Sequence, residues 1–428
     1  MNRSNPDPLQ RRRLLGAGLA LGGLALTGCA GAPAGPSIGR VVVVGGGFGG
    51  ATAARYLRLW GGNIDVTLVE RNPQFISCPI SNLVIGGHQQ MADITMGYGS
   101  LQAAGVKLVQ GDVVAIDPVA RKVRLASGAE LPYDRLVVSP GVDFLLDQVA
   151  GLAAELNRGT VTHGWKAGPQ TVALRRQLEA MPDGGVFAMT IPKVPYRCPP
   201  GPYERACMVA SYLKVAKPKS KVLVLDANPE IQSKKALFER AFKQHYDGLL
   251  EYRPNAELKE VAGTLAKLEF EDVKADVLNV IPPQRAADLA RSAGLITINN
   301  RWVGVHWLTM EATAAPGVHV LGDAVFSAPL MPKSGHMANQ QAKVAAAAII
   351  QLLKGEPVNT TPLVMNTCYS FVTARDVIHV ASVHQYDAAE KTFKAVPGSG
   401  GVSAASNQLE GRYAMGWAQN IWADMLAA

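Results

Sequence analysis

The 428-residue sequence predicts an α/β protein: two doubly wound βαβ domains, the first interrupted in sequence by the second, and a small α+β domain at the C-terminus. Three observations predict it. A glycine-rich turn joins an apolar strand to a helix at residues 40–59, two later strands at 133–141 and 317–327 run into glycine turns, and the stretch between them repeats the strand–helix–strand order. Such alternation is the pattern of a parallel sheet flanked by helices. Apolar residues make up 48% and charged residues 18% of the chain, enough to build large cores in two or three domains. Part of the net charge of +8 sits at the start, where Arg3, Arg11, Arg12 and Arg13 face only Asp7. The remainder is mildly basic, with no Lys/Arg run and no nucleic-acid motif, so no nucleic-acid partner is expected.

Residues 1–34 read as an address rather than as fold. Arg11-Arg12-Arg13-Leu14-Leu15 opens a Gly/Ala/Leu stretch that ends by Thr27. That stretch is shorter than the ~20 apolar residues of a membrane span and resembles a twin-arginine export signal. Leu26-Thr27-Gly28-Cys29 is similar to a lipoprotein box that would leave a lipidated Cys29, whereas Ala32-Pro33-Ala34 offers an ordinary cleavage site; both readings stand. The expected location is periplasmic, with a membrane contact only if Cys29 is lipidated, and disulfides can persist there.

The first domain is expected at 36–150 and 289–357. Val41–Val44 form a buried parallel strand, and Gly45-x-Gly47-x-x-Gly50 opens a helix. Gly45 makes the tight turn, Gly47 lets a pyrophosphate approach the backbone, and Gly50 packs helix on strand. The helix N-terminus offers amides and a positive dipole. The next strand ends in Glu70, suited to a ribose hydroxyl. Strands at 133–141 and 317–327, the latter ending in Gly322-Asp323, decide for FAD over NAD: similar strands recur in glutathione-reductase-like flavoproteins, where the acid holds the ribityl chain. Asp323 could instead cap the segment that follows it.

Residues 151–288 have their own βαβ grammar and resemble a second Rossmann-like domain of that superfamily. VFAMTIP is a strand, YERACMVASYLKVAK a helix, and KVLVLDA a strand ending at Asp226. The turn between the first two reads RCPPGPYE, where a nicotinamide dinucleotide needs glycines and free amides. Proline has no N–H to offer a phosphate. This domain is therefore expected to have no NAD site, and the reducing equivalents must come from elsewhere. Residues 359–428 carry Cys368, a Gly/Ser-rich loop at 397–407, and a terminal segment in which Trp417 and Trp422 fit one helical face only loosely.

Five cysteines are present: Cys29, Cys78, Cys198, Cys207 and Cys368. None forms CxxC or CxxCH, and metal-ligand spacing is absent, so neither a metal nor a haem is expected on this chain. Cys78 follows Glu70 in a segment that passes beneath the isoalloxazine ring in this fold. It is placed either to form a thioether with the flavin 8-methyl or to pack as a buried thiol. Cys198 stands in the turn that replaces the nicotinamide cradle. Cysteines in loops of an exported oxidoreductase can form a redox disulfide or a structural staple, and the four mature cysteines allow three full pairings. Cys207 reads as a core thiol on the helix after Pro202.

GGGFGGATAARYLRL, SCPISNLVIGG, YRCPPGPYERA, NVIPPQRAADLA, MPKSGHMANQQAKVAAAA and NTCYSFV together resemble the flavoprotein subunit of flavocytochrome c sulfide dehydrogenase. The resemblance implies a glutathione-reductase-type fold with a C-terminal domain, 359–428, that docks a c-type cytochrome subunit. It implies FAD linked covalently through Cys78 and a redox disulfide between Cys198 and Cys368. Cys207 and the lipoprotein-like box depart from the pattern.

The expected chemistry is oxidation of sulfide. Hydrosulfide attacks one sulfur of the disulfide, leaving a persulfide and a thiolate, and the electrons pass through FAD to the cytochrome. Glu204 is a candidate proton carrier, or a first-turn glutamate favouring the helix dipole. Lys333 could put positive charge near the flavin, or be solvated. Trp417 could wall the flavin or the cytochrome face, or fill the core. Two other readings remain: a sulfide:quinone oxidoreductase, and a non-catalytic flavoprotein that maintains thiols in a sulfur-oxidation complex.

Overall fold

The computed structural model describes residues 36–427. The expected export signal, the box at Cys29 and the alternative cleavage site lie outside the described residues. From Arg40 the chain enters the strand Arg40–Val44, whose four valines are at most 5% exposed. It is an interior strand of a seven-stranded sheet. Asp65–Glu70 and then Lys107–Gln110 follow in parallel on one side. Arg135–Val138 and Val318–Val320 follow in parallel on the other. The far edge, Glu311–Ala312 and Val305–His306, turns antiparallel. One sheet thus draws strands from both sides of an insert of well over a hundred residues.

The insert builds a four-stranded parallel sheet in the order Leu250–Arg253, Lys221–Asp226, Val186–Ile191, Val277–Val280. The helix Gly201–Ala216 connects the two central strands. An antiparallel pair, Val142–Phe144 with Gln284–Ala286, ties together the two passages of chain into and out of the insert. The architecture is the mixed α/β class expected.

The C-terminal segment folds as an antiparallel sheet of Leu363–Phe371, Val377–Asp387 and Thr392–Ala395, followed by the helix Gln408–Leu426. The expected loop at 397–407 contains a short strand, Gly401–Val402, paired with Val377–Asp387. Glycine permits this approach: a Cβ on Gly400 would lie 2.2 Å from the Ala381 carbonyl oxygen. Trp417 and Trp422 point to different faces of their helix, as a spacing of five residues dictates at about 100° per residue. Trp422 is buried and donates from Nε1 to Ser77 Oγ at 3.0 Å, while Trp417 faces a cleft. No helix among the described residues is long and apolar enough to cross a membrane.

Candidate active site

A cleft of about 1320 Å³ runs from the first glycine turn to the C-terminal sheet. Its floor begins where the first strand stops. Gly45 takes φ +96°, and a Cβ there would lie 2.4 Å from the Ser139 carbonyl oxygen. A Cβ on Gly50 would lie 1.8 Å from the Gly45 carbonyl oxygen, so the helix Phe48–Gly61 packs against the turn only because residue 50 has none. A Cβ on Gly47 would meet no atom within 4 Å; that position opens onto the cleft. Glu70 closes the turn, its Oε2 accepting from Gly46 N at 2.6 Å and its Oε1 from Asn72 N at 2.8 Å.

At the other end of this floor Gly322 takes φ +73° and donates from its N–H to Gln341 Oε1 at 2.8 Å. Asp323 follows, with Oδ2 3.7 Å from Arg197 Nη1. Asp323 Oδ1 is buried and, among the described residues, has no hydrogen-bond partner; Trp165 Nε1 in the same cleft wall is likewise unpartnered. A buried polar atom without a partner is costly. A hydroxyl of a bound group would give Asp323 a donor, so the open turn at Gly47 and the acid at Asp323 fit the two ends of an extended dinucleotide.

Lys333 is 6% exposed, which excludes the solvated reading. Its ammonium donates to the carbonyl oxygens of Asp323, at 3.1 Å, and Val325, and stands 3.9 Å from the centre of the Trp302 ring. Burial pulls its pKa down to about 7, against the attraction of Asp323. Its charge is thus held at the base of the Asp323 turn.

The three cleft-lining cysteines come from three separate parts of the chain. Cys78 Sγ accepts from Arg197 Nη2 at 3.1 Å and from Ala167 N at 3.4 Å. Cys198 adopts φ +53° and donates its N–H to Lys333 O at 2.8 Å. It is exposed to the cleft, with the cleft walls crowding it from the sides. That enclosure, with Cys368 and Glu204 nearby, pushes its thiol far above the ordinary range. Cys368, on the C-terminal strand, is also raised by burial, opposed by Lys234 and by Asn366, whose Nδ2 donates to Sγ at 3.3 Å. Both are free thiols in the structure. Cys207 is fully buried in the core of the helix Gly201–Ala216 and does not line the cleft.

Glu204 faces the same cleft. Its Oε2 accepts from Asn82 Nδ2 at 2.8 Å and its Oε1 from Phe371 N at 2.9 Å. Burial raises its pKa, although Lys234 and Arg205 oppose the rise. Trp417 lies with its ring centre 5.8 Å from that of His336 and 6.3 Å from that of Tyr369. Burial lowers the His336 pKa to about 4; Thr367 N donates to its Nδ1 at 3.0 Å, leaving a neutral ring with its proton on Nε2.

The strand-to-helix turn of the insert, where a second dinucleotide would meet the backbone, leaves few amides free. Pro199, Pro200 and Pro202 remove amides from the turn, and the N–H groups of Cys198, Gly201 and Glu204 donate to Lys333 O, Cys198 O and Pro200 O. Asp226, which ends the second strand, accepts at Oδ2 from Tyr203 Oη at 2.7 Å and Tyr252 Oη at 3.0 Å, and at Oδ1 from Asn228 N at 2.9 Å.

Arg197, Trp165, His336 and Lys234 were not singled out in the sequence. Arg197 carried a signal, an arginine beside the turn cysteine. The other three carried none. Among the described residues no cluster of His, Cys, Asp and Glu is arranged to hold a metal ion.

Residues 39–174 match the family model for pyridine nucleotide-disulphide oxidoreductases. The crystal structure of the sulfide:quinone oxidoreductase from Aquifex aeolicus superposes over 90% of this chain and 91% of its own, with TM-score 0.73 and 20% sequence identity. The putidaredoxin reductase–putidaredoxin complex covers 81% of each chain with TM-score 0.63 and 19% identity. The fold is that of an FAD-dependent pyridine nucleotide-disulphide oxidoreductase. Two further family models narrow it. Residues 171–282 match the central part of the flavocytochrome c sulfide dehydrogenase flavoprotein chain, and residues 360–426 match the flavin-binding part of the same enzyme. The chain belongs to this flavocytochrome c sulfide dehydrogenase flavoprotein family, within the sulfide-oxidising flavoproteins.

A flavoprotein chain of this name from Chlorobaculum thiosulfatiphilum is 62% identical over 45 residues, which are 10% of this chain and 94% of that sequence. The Aquifex aeolicus sulfide-quinone reductase is 25% identical over 77% of this chain and 80% of its own length. The mitochondrial sulfide:quinone oxidoreductase of Mus musculus is 25% identical over 66% of this chain, which spans 65% of that relative's length.

Proposed function

We propose that this chain is the sulfide-oxidising flavoprotein subunit of an exported flavocytochrome, with Cys198 and Cys368 as its redox disulfide, FAD joined covalently to Cys78, and a c-type cytochrome as electron acceptor. The observation that carries the reading is the convergence of Cys198 and Cys368 on the cleft that also holds the Gly47 opening and the unpartnered Asp323 oxygen. The proline-rich turn of the insert, with few free amides, supports it, because a chain that takes electrons from sulfide needs no nicotinamide there.

Hydrosulfide is an anion near neutral pH and a strong nucleophile; it attacks one sulfur of the pair, and the S–S bond opens to a persulfide and a thiolate. Glu204, with its raised pKa, can hold or yield a proton beside the pair at pH values where an ordinary carboxylate is fully ionised. FAD bound in the cleft supplies a two-electron acceptor that can release electrons singly. Asp323 would hold its ribityl chain, Glu70 its ribose, and the turn at Gly45, Gly47 and Gly50 its pyrophosphate. Trp417 lines the same cleft beside His336 and Tyr369 and would wall one side of the flavin.

The test is rapid mixing of the oxidised protein with sulfide, with cytochrome c or a quinone as acceptor. Cys198→Ser and Cys368→Ser should each abolish sulfide-driven flavin bleaching while retaining FAD. A Cys368→Ser protein that turned over at the parental rate would overturn the disulfide mechanism. For Cys78, acid precipitation should leave the flavin on the protein; colour that washes away excludes the thioether. A second reading, sulfide:quinone oxidoreductase, is favoured by the similarity to quinone-reducing relatives across most of the chain. Turnover with quinone and none with cytochrome would select it. Retention of FAD with no response to sulfide would select the thiol-maintenance role.

A further inference from the structure

One buried cation beside the cleft is unused by the chemistry above. Lys234 is 8% exposed, and its backbone takes φ +56° just before the helix Lys235–Tyr246. That left-handed conformation turns its side chain inward to the C-terminal sheet. The ammonium donates to the Cys368 carbonyl oxygen at 3.0 Å, Ser370 Oγ at 2.8 Å and the Ile378 carbonyl oxygen at 3.5 Å. All three acceptors are neutral. Its neighbour Lys235 points outward and pairs with Glu230 at 2.7 Å. A buried ammonium held only by neutral oxygens is costly unless a negative charge arises near it. The acids that face it are Cys368, Glu204, Cys198 and Glu410.

We propose that Lys234 is a positioning residue of the thiol exchange: its ammonium is the counter-charge of the Cys368 thiolate, which makes Cys368 the sulfur that departs and Cys198 the sulfur that is attacked. This rests on the disulfide reading above. The step balances without another reagent. Hydrosulfide forms a bond to Cys198 Sγ, the Cys198–Cys368 bond breaks, and its electron pair leaves on Cys368, giving a Cys198 persulfide and a Cys368 thiolate. One negative charge enters and one remains. The better leaving sulfur is the one whose thiolate is more stable.

The surroundings of the two sulfurs point the same way. Cys368 has the Lys234 ammonium on its own carbonyl and the Asn366 amide on its sulfur, with Ser334 also at hand. Of the charged groups beside it, Lys234 favours its ionisation and Glu204 opposes it. Cys198 is also raised by burial, opposed by Glu204 and assisted by Arg197 and Lys234, while the repulsion between two thiolates acts on both sulfurs alike. Burial lowers the Lys234 pKa to about 8, so it is cationic through neutral pH.

The experiment uses the full chain loaded with FAD. The reduced protein is alkylated with iodoacetamide across a pH series, and Cys368 modification is read by peptide mass mapping in the parent, Lys234→Gln and Lys234→Arg. Fully buried Cys207 is the internal control, and flavin content reports folding. Loss of an opposite charge close to a thiol moves its titration by about one pH unit or more, so roughly tenfold less Cys368 thiolate is expected at a given pH in Lys234→Gln. Lys234→Arg should restore it. Loss of a merely structural hydrogen bond would not separate these two variants.

The parent provides a second measurement that needs no variant. The oxidised protein is mixed with one equivalent of sulfide and quenched with iodoacetamide, and the extra sulfur is located by mapping; it is expected on Cys198. An unchanged Cys368 profile in a folded Lys234→Gln protein, or the extra sulfur on Cys368, overturns the role of Lys234 and leaves the disulfide reading standing. Extra sulfur on neither cysteine, with no Cys198–Cys368 link in the oxidised parent, overturns both.

Discussion

The glycine turn permits a prediction that separates packing from cofactor binding within six residues. In Gly50→Ala the new Cβ would lie 1.8 Å from the Gly45 carbonyl oxygen, where ordinary contact begins at 3.4 Å. The helix Phe48–Gly61 must therefore move by about 1.6 Å, or the Gly45 turn must open. Neither gives easily, because the obstructing atom is backbone and Gly45 is itself wedged against Ser139. Overpacking costs about 1–3 kcal/mol, and a backbone clash belongs at the upper end, about 3 kcal/mol. Gly47→Ala is the opposite case. Its φ of −76° suits alanine and its Cβ meets nothing within 4 Å, so the cost to the fold should be within about 0.5 kcal/mol. That Cβ would stand in the cleft where a pyrophosphate must approach. In a Cys78→Ser background, where FAD can exchange, urea unfolding of the apoprotein and FAD titration should give opposite orders. Gly50→Ala should unfold at markedly lower urea, and Gly47→Ala should unfold like the parent yet bind FAD at least tenfold more weakly. Parental unfolding of Gly50→Ala, or parental FAD affinity in Gly47→Ala, would refute the assignment of these roles.

Other outcomes follow from the same geometry. NADH and NADPH should leave the flavin absorbance unchanged under conditions where sulfide bleaches it, because most turn amides are removed by proline or engaged and both Asp226 oxygens are taken; bleaching by NADH would contradict this. Glu204 has a raised pKa, so its carboxylate is lost, as pH falls, at a higher pH than an ordinary glutamate. Sulfide-driven reduction should therefore show an acid limb above the usual carboxylate range. Glu204→Gln should remove that limb and slow the reaction by roughly 10²-fold, as pH-resolved stopped-flow would reveal. In Gly201→Ala the new Cβ would fall 2.9 Å from Cys198 Sγ and 2.9 Å from the Trp165 ring, displacing the sulfur. Non-reducing peptide mapping should then show a reduced yield of the Cys198–Cys368 link, with FAD content unchanged.

The parts of this molecule that were legible in sequence are those where geometry admits few residue types. A strand of four valines running into Gly45-x-Gly47-x-x-Gly50 has few other folds, since only glycine tolerates φ +96° and an approach as close as that of residue 50 to the Gly45 oxygen. Cys198 was visible because prolines around it contradict the turn they occupy. Cys368 had no such local mark; its strand could be read only through resemblance. Lys234 was invisible. It precedes an equally plain lysine, and only the positive φ at 234 sends one ammonium into the sheet and leaves the other in solvent with Glu230. Lys333 was ambiguous in sequence because burial is decided by packing from afar, here the Trp302 ring. The short strand at 401–402 was read as loop because Gly400 looks like flexibility in sequence, whereas its missing Cβ is what lets the strand dock.

The insert keeps the frame of a nucleotide domain but not its glycine-rich turn. Its parallel sheet and the helix Gly201–Ala216 retain the strand-to-helix turn that in a dinucleotide domain aims amides and a positive dipole at phosphate. Here three amides are removed by proline and three are spent on Lys333 O, Cys198 O and Pro200 O, but the dipole of a sixteen-residue helix remains. Gly201 leaves room for a sulfur instead, and the left-handed backbone of Cys198 carries its thiol over that helix end. Asp226, freed from binding a sugar, is tied to Tyr203 and Asn228, and so braces the same helix from below. On the proposed mechanism that helix end would offer positive field to an incoming hydrosulfide, an anion smaller and softer than phosphate that needs field more than a ring of donors.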